Sequence, residues 1–353
     1  MSSTSGEIRV DGRQAEVDAP GDGRASEGPP PEGYEDLNAY SRIIVDEALA
    51  RGVAVEVTDP VLGELVLTFG GRSVRTFESL SELTSAVAFR RCDHKGRTRA
   101  VLAGAGLAVA PGRLATFDEH DHEFLAEHRD VVVKPARGEQ GWGITVGVTD
   151  AGDLDAALEL ACSVCPEVLL EQRIDGQDLR VLVIGDEVVA ASVRRPPVVR
   201  GDGTRTIAEL ITDLSDRREA ATEGAASIPL DDVTHAVVAD AGRDLDEVLA
   251  RGTELEVRRT ANLHTGGTIV DVTDELHPDL AAAAVAAAQA IGIPVVGMDL
   301  IVRAVDRPEH VFIEANEQPG LANHEPRPTA ARFLDLLFPE TASPLVDVAG
   351  RNS

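Results

Sequence analysis

A lone aspartate inside an otherwise apolar run limits the folds open to this chain. Residues 295–302 read Val-Val-Gly-Met-Asp-Leu-Ile-Val. The segment before them sets Pro278 at a first helical position, follows it with an Ala/Val run, and stops at Gly292 with Pro294 just beyond. Proline is tolerated in a first turn, whose N–H groups lack helical partners, and glycine takes the left-handed backbone that ends a helix. The pattern predicts a helix feeding a buried strand, Val295 to Val302, and so a layered α/β architecture. Asp299 within that strand is costly to bury unless something meets its charge.

The next strand carries more oxygen donors. Phe312-Ile-Glu-Ala-Asn puts Glu314 and Asn316 two residues apart, so a period of two sends both to one face while Ile313 and Ala315 face the core. Asp299, Glu314 and Asn316 can then converge as hard oxygen ligands, the kind that suits Mg2+ (or Mn2+) with water and nucleotide phosphates as its other ligands. The alternative for this strand is a plain solvated face.

Lys95 and Lys134 are the only lysines among 33 basic residues. A compact ammonium fits beside a single phosphate oxygen, where the planar arginine fork needs more room and a bidentate partner. The two lysines therefore mark candidate phosphate contacts, although G+C-rich coding also produces such a count. Lys134 ends a run of three valines and is followed by Pro-Ala-Arg-Gly-Glu-Gln-Gly-Trp-Gly (135–143). A strand thus delivers a lysine to a glycine loop whose N–H groups can fold over phosphate oxygens. The spacing matches neither the P-loop nor the dinucleotide fingerprint.

A net charge of −28 and a pI near 4.6 argue against nucleic acid or an anionic membrane as partner, since any encounter begins against repulsion. There is no apolar stretch of membrane-spanning length and no charged start followed by an apolar core, so a cytoplasmic location is expected. Cys92, Cys162 and Cys165 are too few for a disulfide framework or a four-thiolate zinc site; Cys162 and Cys165 close a helical run and read as small buried thiols.

Along the chain, residues 1–33 mix Ser, Gly, acids and a Pro run and read as a disordered lead. Residues 34–92 read as a small α/β cap, with a helix at Ser41–Ala50, strands at Val53–Val57 and Glu64–Phe69, and a helix at Leu83–Phe89. Residues 93–174 hold a helix from Lys95 to Leu107, strands at Asp130–Lys134, Ile144–Val148 and Val168–Gln172, and a helix at Ala151–Cys162. From 175 to 340 come a hairpin turning at Gly185-Asp186 and an insertion at about 196–256. That insertion has expected helices at Ile207–Arg218 and Leu245–Arg251. The helix–strand pair above and a helix at about Pro328–Leu337 complete the unit, and 341–353 form a tail.

The order Lys95, Lys134 with its loop, Glu171-Gln172-Arg173-Ile174, Asp178, Asp299, Glu314 and Asn316 resembles that of an ATP-grasp ligase over about residues 80–340. Gly176–Leu210 and Thr260–Pro278 look like the ATP-grasp region of the cyanophycin synthetases, and the chain is also similar to ribosomal-protein glutamate ligases. Ser79–Lys95 and Ile313–Pro339 resemble the ligase half of N-acetylglutaminylglutamine synthetases more specifically. The resemblance implies an ATP-grasp fold, α/β (α+β), with ATP held between two α/β subdomains. It implies that Lys95 and Lys134 neutralise phosphates, that Gly138, Gln140, Gly141, Trp142 and Gly143 close over them, and that Glu171, Gln172 and Ile174 line the adenine. Asp178 would take the ribose position, where the family usually has Glu. Arg180, Arg259 and Asn262 would steady phosphate or an acyl phosphate. Asp299, Glu314 and Asn316 would hold one or two Mg2+, and Pro319-Gly320 would shape the acceptor pocket.

The implied activity is ATP- and Mg2+-dependent joining of a carboxylate to an amine through an acyl phosphate. The expected product is an N-acetylglutaminylglutamine-type dipeptide. The alternative is a cyanophycin-synthetase-like or ribosomal-protein-glutamate-ligase-like amino-acid ligase with another substrate. The partners expected are small amino-acid or dipeptide substrates. The residues from Tyr34 to Glu78 are too few to hold an acetyltransferase, so a separate acetyltransferase and an amidotransferase of the same pathway are expected beside it. Self-association stays open. A reading of another class is an ATP-binding regulator without turnover, against which the lysines, the metal ligands and the acceptor loop all count.

Overall fold

The computed structural model describes residues 29–138, 141–221 and 226–342. Most of the expected lead, Gln140 of the glycine loop and most of the tail lie outside the described residues. At the N-terminal end, α1 (Ala39–Ala50) starts where the Asn38 side chain accepts a hydrogen bond from the Ser41 N–H, a cap that meets one orphan donor of the first turn. The antiparallel strands β1 (Ala54–Asp59), β2 (Glu64–Phe69), β3 (Arg72–Phe77) and β4 (Leu80–Ser81) follow in sheet order 1-2-3-4.

After α2 (Ala86–Cys92) and α3 (Lys95–Gly104) comes a four-stranded antiparallel sheet. It is built from β5 (Gly112–Leu114), β6 (Val131–Pro135), β7 (Thr145–Val148) and β8 (Val168–Gln172) in the order 5-8-6-7, with α4 (Glu119–His128) and α5 (Ala151–Val164) in the connections. The hairpin β9 (Gln177–Ile184) and β10 (Glu187–Arg195) turns at Gly185, whose φ of 61° needs the freedom of glycine. The insertion follows as β11 (Val198–Arg200), α6 (Ile207–Ala221), α7 (Asp232–Asp240) and β12 (Glu254–Glu256), around a small apolar cluster of its own. Then β13 (Thr268–Asp271), α8 (Pro278–Ile291), β14 (Val295–Val302) and β15 (His310–Asn316) complete a five-stranded antiparallel sheet of order 13-10-9-14-15, and α9 (Thr329–Leu337) ends the described core.

Helix α8 has the expected Pro278 start and Gly292 stop, with Gly292 left-handed at φ 76°. Its buried stripe Leu280, Ala284, Ala287 and Ile291 lies against one face of the large sheet, where Leu179, Val181, Val183, Ala191, Met298 and Leu300 also point. Each fully buried Leu or Ile there contributes on the order of 1.5–3 kcal/mol. The other face changes character along its strands. At one end Leu182, Ala190 and Val295 pack beneath α1, β2 and α9. Two and four residues further along the same face stand Arg180 and Asp178, Ser192 and Arg194, and Gly297 and Asp299. The side chains change from apolar to charged while the strands continue.

Three local expectations are corrected. Leu245–Arg251 is not a helix, because the carbonyls of Leu245, Glu247 and Leu249 accept the N–H groups of Ala208, Ile207 and Gly203. The insertion's second helix is α7, capped by the Asp231 carboxylate on Thr234 N–H. In β15, the register slips between Asp299↔Glu314 and Leu300↔Phe312, leaving Ile313 as a bulged residue. Phe312 and Ala315 therefore face the core, and Ile313 is only half-buried. Cys165 is buried as expected, whereas Cys162 is exposed. Among the described residues, no helix is long and apolar enough to cross a membrane.

Candidate active site

The charged end of the large sheet assembles its side chains by register. Across four strands, Ser192 pairs with Arg180, Arg180 with Asp299, and Asp299 with Glu314. Arg180 grips the Asp299 carboxylate with two donors, Nε to Oδ1 and Nη2 to Oδ2, the latter at 3.0 Å. Arg194 reaches Asp299 Oδ2 at 2.9 Å and Asp178 Oδ1 at 2.8 Å, and Asn316 Nδ2 donates to Asp299 Oδ2 at 3.2 Å. Gly297 lets this happen, since a Cβ there would lie 2.8 Å from Arg180 Nη1 and 3.1 Å from its Cδ. Burial pushes the Asp299 carboxyl up, but the Arg180 and Arg194 guanidiniums outweigh it and hold the group at about 2. Burial raises Asp178, and the like charge of Asp299 adds to this against the pull of Arg194. Asp299 is thus the firmly ionised member of the set.

The lysines occupy a different setting. Lys134, at the end of β6, is 3% exposed and meets Glu171 Oε2 of the neighbouring strand β8 at 2.6 Å. Lys95, 5% exposed at the start of α3, donates to the Gly138 carbonyl at 2.7 Å and meets Glu314 Oε1 at 2.8 Å. It ties the first glycine of the loop to the strand expected to hold metal. Gly138, Gly141 and Gly143 all have positive φ, which an L side chain adopts only with strain. A Cβ at Gly143 would lie 2.9 Å from Val164 of α5, so the loop is fitted closely onto that helix. Trp142 between them is 72% exposed.

The structure thereby gathers Asn316, Asp299, Arg180, Arg194 and Asp178 into one connected set of contacts, with Lys95–Glu314 as a pair on the neighbouring strand and Lys134–Glu171 as another on the smaller sheet. Gln172 ends β8, and Ile174 lies past its end. The expected phosphate role of Arg259 is not what its contacts describe. Its Nη1 donates to Val146 O of β7 at 2.9 Å and its Nη2 meets Asp240 of α7 at 2.8 Å, so it latches the insertion to the smaller sheet. Asn262 caps the short turn Leu263–Thr265 through the His264 N–H. Sequence reasoning passed over Arg194, Ser192 and His324. Arg194 was concealed by a bulge between Val188 and Ala190 that shifts the hairpin register by one and brings Arg194, rather than Val193, opposite Asp178.

The oxygen donors fit a divalent cation in kind. Two carboxylates and an amide stand on adjacent strands, and Mg2+ takes few protein oxygens when phosphates and water complete its octahedron. Among the described residues no three His, Cys, Asp or Glu side chains cluster to hold a metal. Each cation here stands against an acid: Lys95 with Glu314, Lys134 with Glu171, Arg180 with Asp299. A polyphosphate carrying a divalent cation offers the complementary charges to both members of such pairs. The pairs can exchange partners without leaving a buried charge unmet.

Comparison with known proteins bears on this geometry. Residues 92–202 match the family described as RimK-like ATP-grasp domain. The chain is 32% identical to cyanophycin synthetase of Trichormus variabilis over 336 residues, 90% of this chain and 37% of that protein. It is 29% identical to the glutathione biosynthesis bifunctional protein GshAB of Mannheimia succiniciproducens over 332 residues, 87% of this chain and 43% of that one. The chain thus spans less than half the length of these relatives. Among solved structures, the bifunctional glutathione synthetase from Pasteurella multocida superposes with a TM-score of 0.61 at 26% identity, covering 87% of this chain and 44% of that one.

Proposed function

We propose, from the premise that this chain carries a RimK-like ATP-grasp domain on an ATP-grasp fold, that it is an ATP- and Mg2+-dependent carboxylate–amine ligase. The observation that carries the reading is the set of exchangeable pairs Lys95–Glu314 and Arg180–Asp299 at the charged end of the large sheet and Lys134–Glu171 on the smaller sheet. In this reading Lys95 and Lys134 receive nucleotide phosphates, and Gly138, Gly141 and Gly143 let the loop backbone approach them. Asp299, Glu314 and Asn316 hold Mg2+, which screens the phosphate charge. Asp178 faces the ribose, and Glu171, Gln172 and Ile174 line the base. The division into a cap at 34–92, a lid at 93–174 and a C-terminal unit at 175–340 is part of the same proposal. So is a cytoplasmic setting.

The chemistry follows from charge placement. A substrate carboxylate oxygen attacks the γ-phosphorus while the bond to the bridging oxygen of ADP breaks, which gives an acyl phosphate. An amine nitrogen then bonds to the acyl carbon, and phosphate leaves with the carbon–oxygen electron pair. Arg180 and Arg194 offer fixed positive charge where anionic oxygens gather, so no side-chain nucleophile is required. For substrates we favour an N-acetylglutaminylglutamine-type dipeptide, supported by the resemblance of Ser79–Lys95 and Ile313–Pro339. A cyanophycin-type reaction is the second reading, supported by the 32% identity over 90% of the chain.

Purified protein with ATP and Mg2+ is to be assayed for ADP against N-acetylglutamine plus glutamine, pooled amino acids, and cyanophycin with pooled amino acids, with product masses recorded. ADP dependent on one mixture, with the matching amide mass, is the expected result. Tight ATP binding with no turnover on any mixture would replace the ligase by the regulator.

A further inference from the structure

The loop that follows the Glu314/Asn316 strand ends in a buried imidazole that the steps above do not use. Residues Leu321–His324 form one short turn directly after Pro319-Gly320, and His324 is 5% exposed. Its ring makes no hydrogen bond to another described residue, and its nitrogens are not sealed from solvent. The turn packs against β10, the strand that carries Arg194 and Ser192. Ser192, 1% exposed and level with Arg180, is a buried polar group with an unmet oxygen. The imidazole and the unmet Ser192 hydroxyl thus belong to elements packed at the end of the sheet that carries Arg180 and Arg194.

The turn is fastened from several sides. Leu321 is buried among α1 and α9, and its carbonyl accepts the Thr329 hydroxyl at 3.1 Å. The Ser79 hydroxyl donates to Pro319 O at 2.7 Å, and the Tyr40 hydroxyl donates to Asn323 Oδ1 at 3.2 Å. Arg327, whose N–H bonds to the His324 carbonyl, clamps Asp271 and Asp274 with 2.7 Å contacts. The charges that act on the imidazole are those of Arg180 of β9, Asp271 of β13 and Arg194 of β10. Burial first, and then the Arg180 charge, depress it to about 4, so at neutral pH it carries no proton and its free nitrogen can accept one.

We propose that His324 is the base that takes the proton from the acceptor amine as its nitrogen attacks the acyl phosphate. The inference rests on the ligase reading. As the nitrogen–carbon bond forms, phosphate departs with the electron pair of the carbon–oxygen bond, the amine proton passes to the imidazole, and solvent later receives it. An anionic acyl phosphate beside Arg180 and Arg194 offsets their charge and raises the basicity of His324 at the moment it is needed.

The test compares native protein with His324→Gln and His324→Ala, using ATP, Mg2+ and N-acetylglutamine, or cyanophycin if the ADP assay selects it. Hydroxylamine, whose nitrogen once added to the acyl carbon is acidic enough to shed its proton to water, serves as nucleophile in one arm, and the amino-acid acceptor in the other. The expected result is a loss of about 10²-fold or more in kcat for the amino acid with its KM within about threefold. Hydroxamate formation should stay within about threefold of native, and added imidazole should restore part of the His324→Ala loss. Equal loss with both nucleophiles would make His324 a structural residue, and near-native amide formation would make it a bystander. Native protein that gives neither ADP nor hydroxamate would bring down the ligase reading itself, and this inference with it.

Discussion

The lysines and the arginines of the site are both buried against carboxylates, yet they are held in different ways. Lys134 has one acid partner, Glu171, and Lys95 has Glu314 and a carbonyl. Arg180 and Arg194 share Asp299, Arg194 also holds Asp178, and Asn316 adds a donor. A single pair exchanges its partner in one step, whereas a shared network loses several contacts when any member moves. The lysine side is thus held by fewer contacts than the arginine side, where one movement breaks several at once.

The largest effect should come from breaking the network. Asp299→Ala leaves Arg180 and Arg194 buried without their common acid and should lower stability by about 3–5 kcal/mol, read by denaturant unfolding, with ADP formation lost. A loss below about 1 kcal/mol would mean that the arginines find water and that the network is no scaffold. On the lysine side, Lys134→Ala and Glu314→Ala should each abolish ADP formation while circular dichroism stays native, and Lys134→Arg should also be poor. Full activity of Lys134→Arg would remove the distinction between point charge and fork.

Acid titration sharpens the contrast from the network side. The depressed His324 means that the folded protein leaves this group unprotonated while the unfolded chain protonates below about 6.5. Stability from this source is present above that pH and is lost as pH falls towards about 4. The difference amounts to about 3 kcal/mol and should be missing from the pH–stability curve of His324→Gln. Gly297→Ala should cost about 1–3 kcal/mol and lower kcat roughly tenfold, by pushing Arg180 off Asp299. Smallest is Arg259→Ala: its partly exposed pair with Asp240 is worth about 0–1 kcal/mol, and KM for ATP should change less than about threefold. A larger rise in that KM would return Arg259 to the phosphates.

Much of this was legible in the sequence because the signals were local. The Pro278 start, the Gly292 stop, the β14 run and the Lys134 loop each depend on backbone preferences within a few residues. What escaped depended on register. The bulge in β10 sets Arg194 opposite Asp178, and the bulge at Ile313 sends Phe312 inward, and neither leaves a composition cue. Leu245–Arg251 has helical composition, but its carbonyls are engaged by residues 203–208. His324 looked like any loop histidine until Leu321 and Ser79 fixed the turn around it.

Trp142 is the sole indole of the chain and stands largely in solvent between two left-handed glycines. The protein is therefore its own optical gauge. If a ligand covers Trp142, the emission will move to shorter wavelength and a dissolved quencher will lose access, so the proposed nucleotide site can be titrated in a cuvette with unlabelled protein.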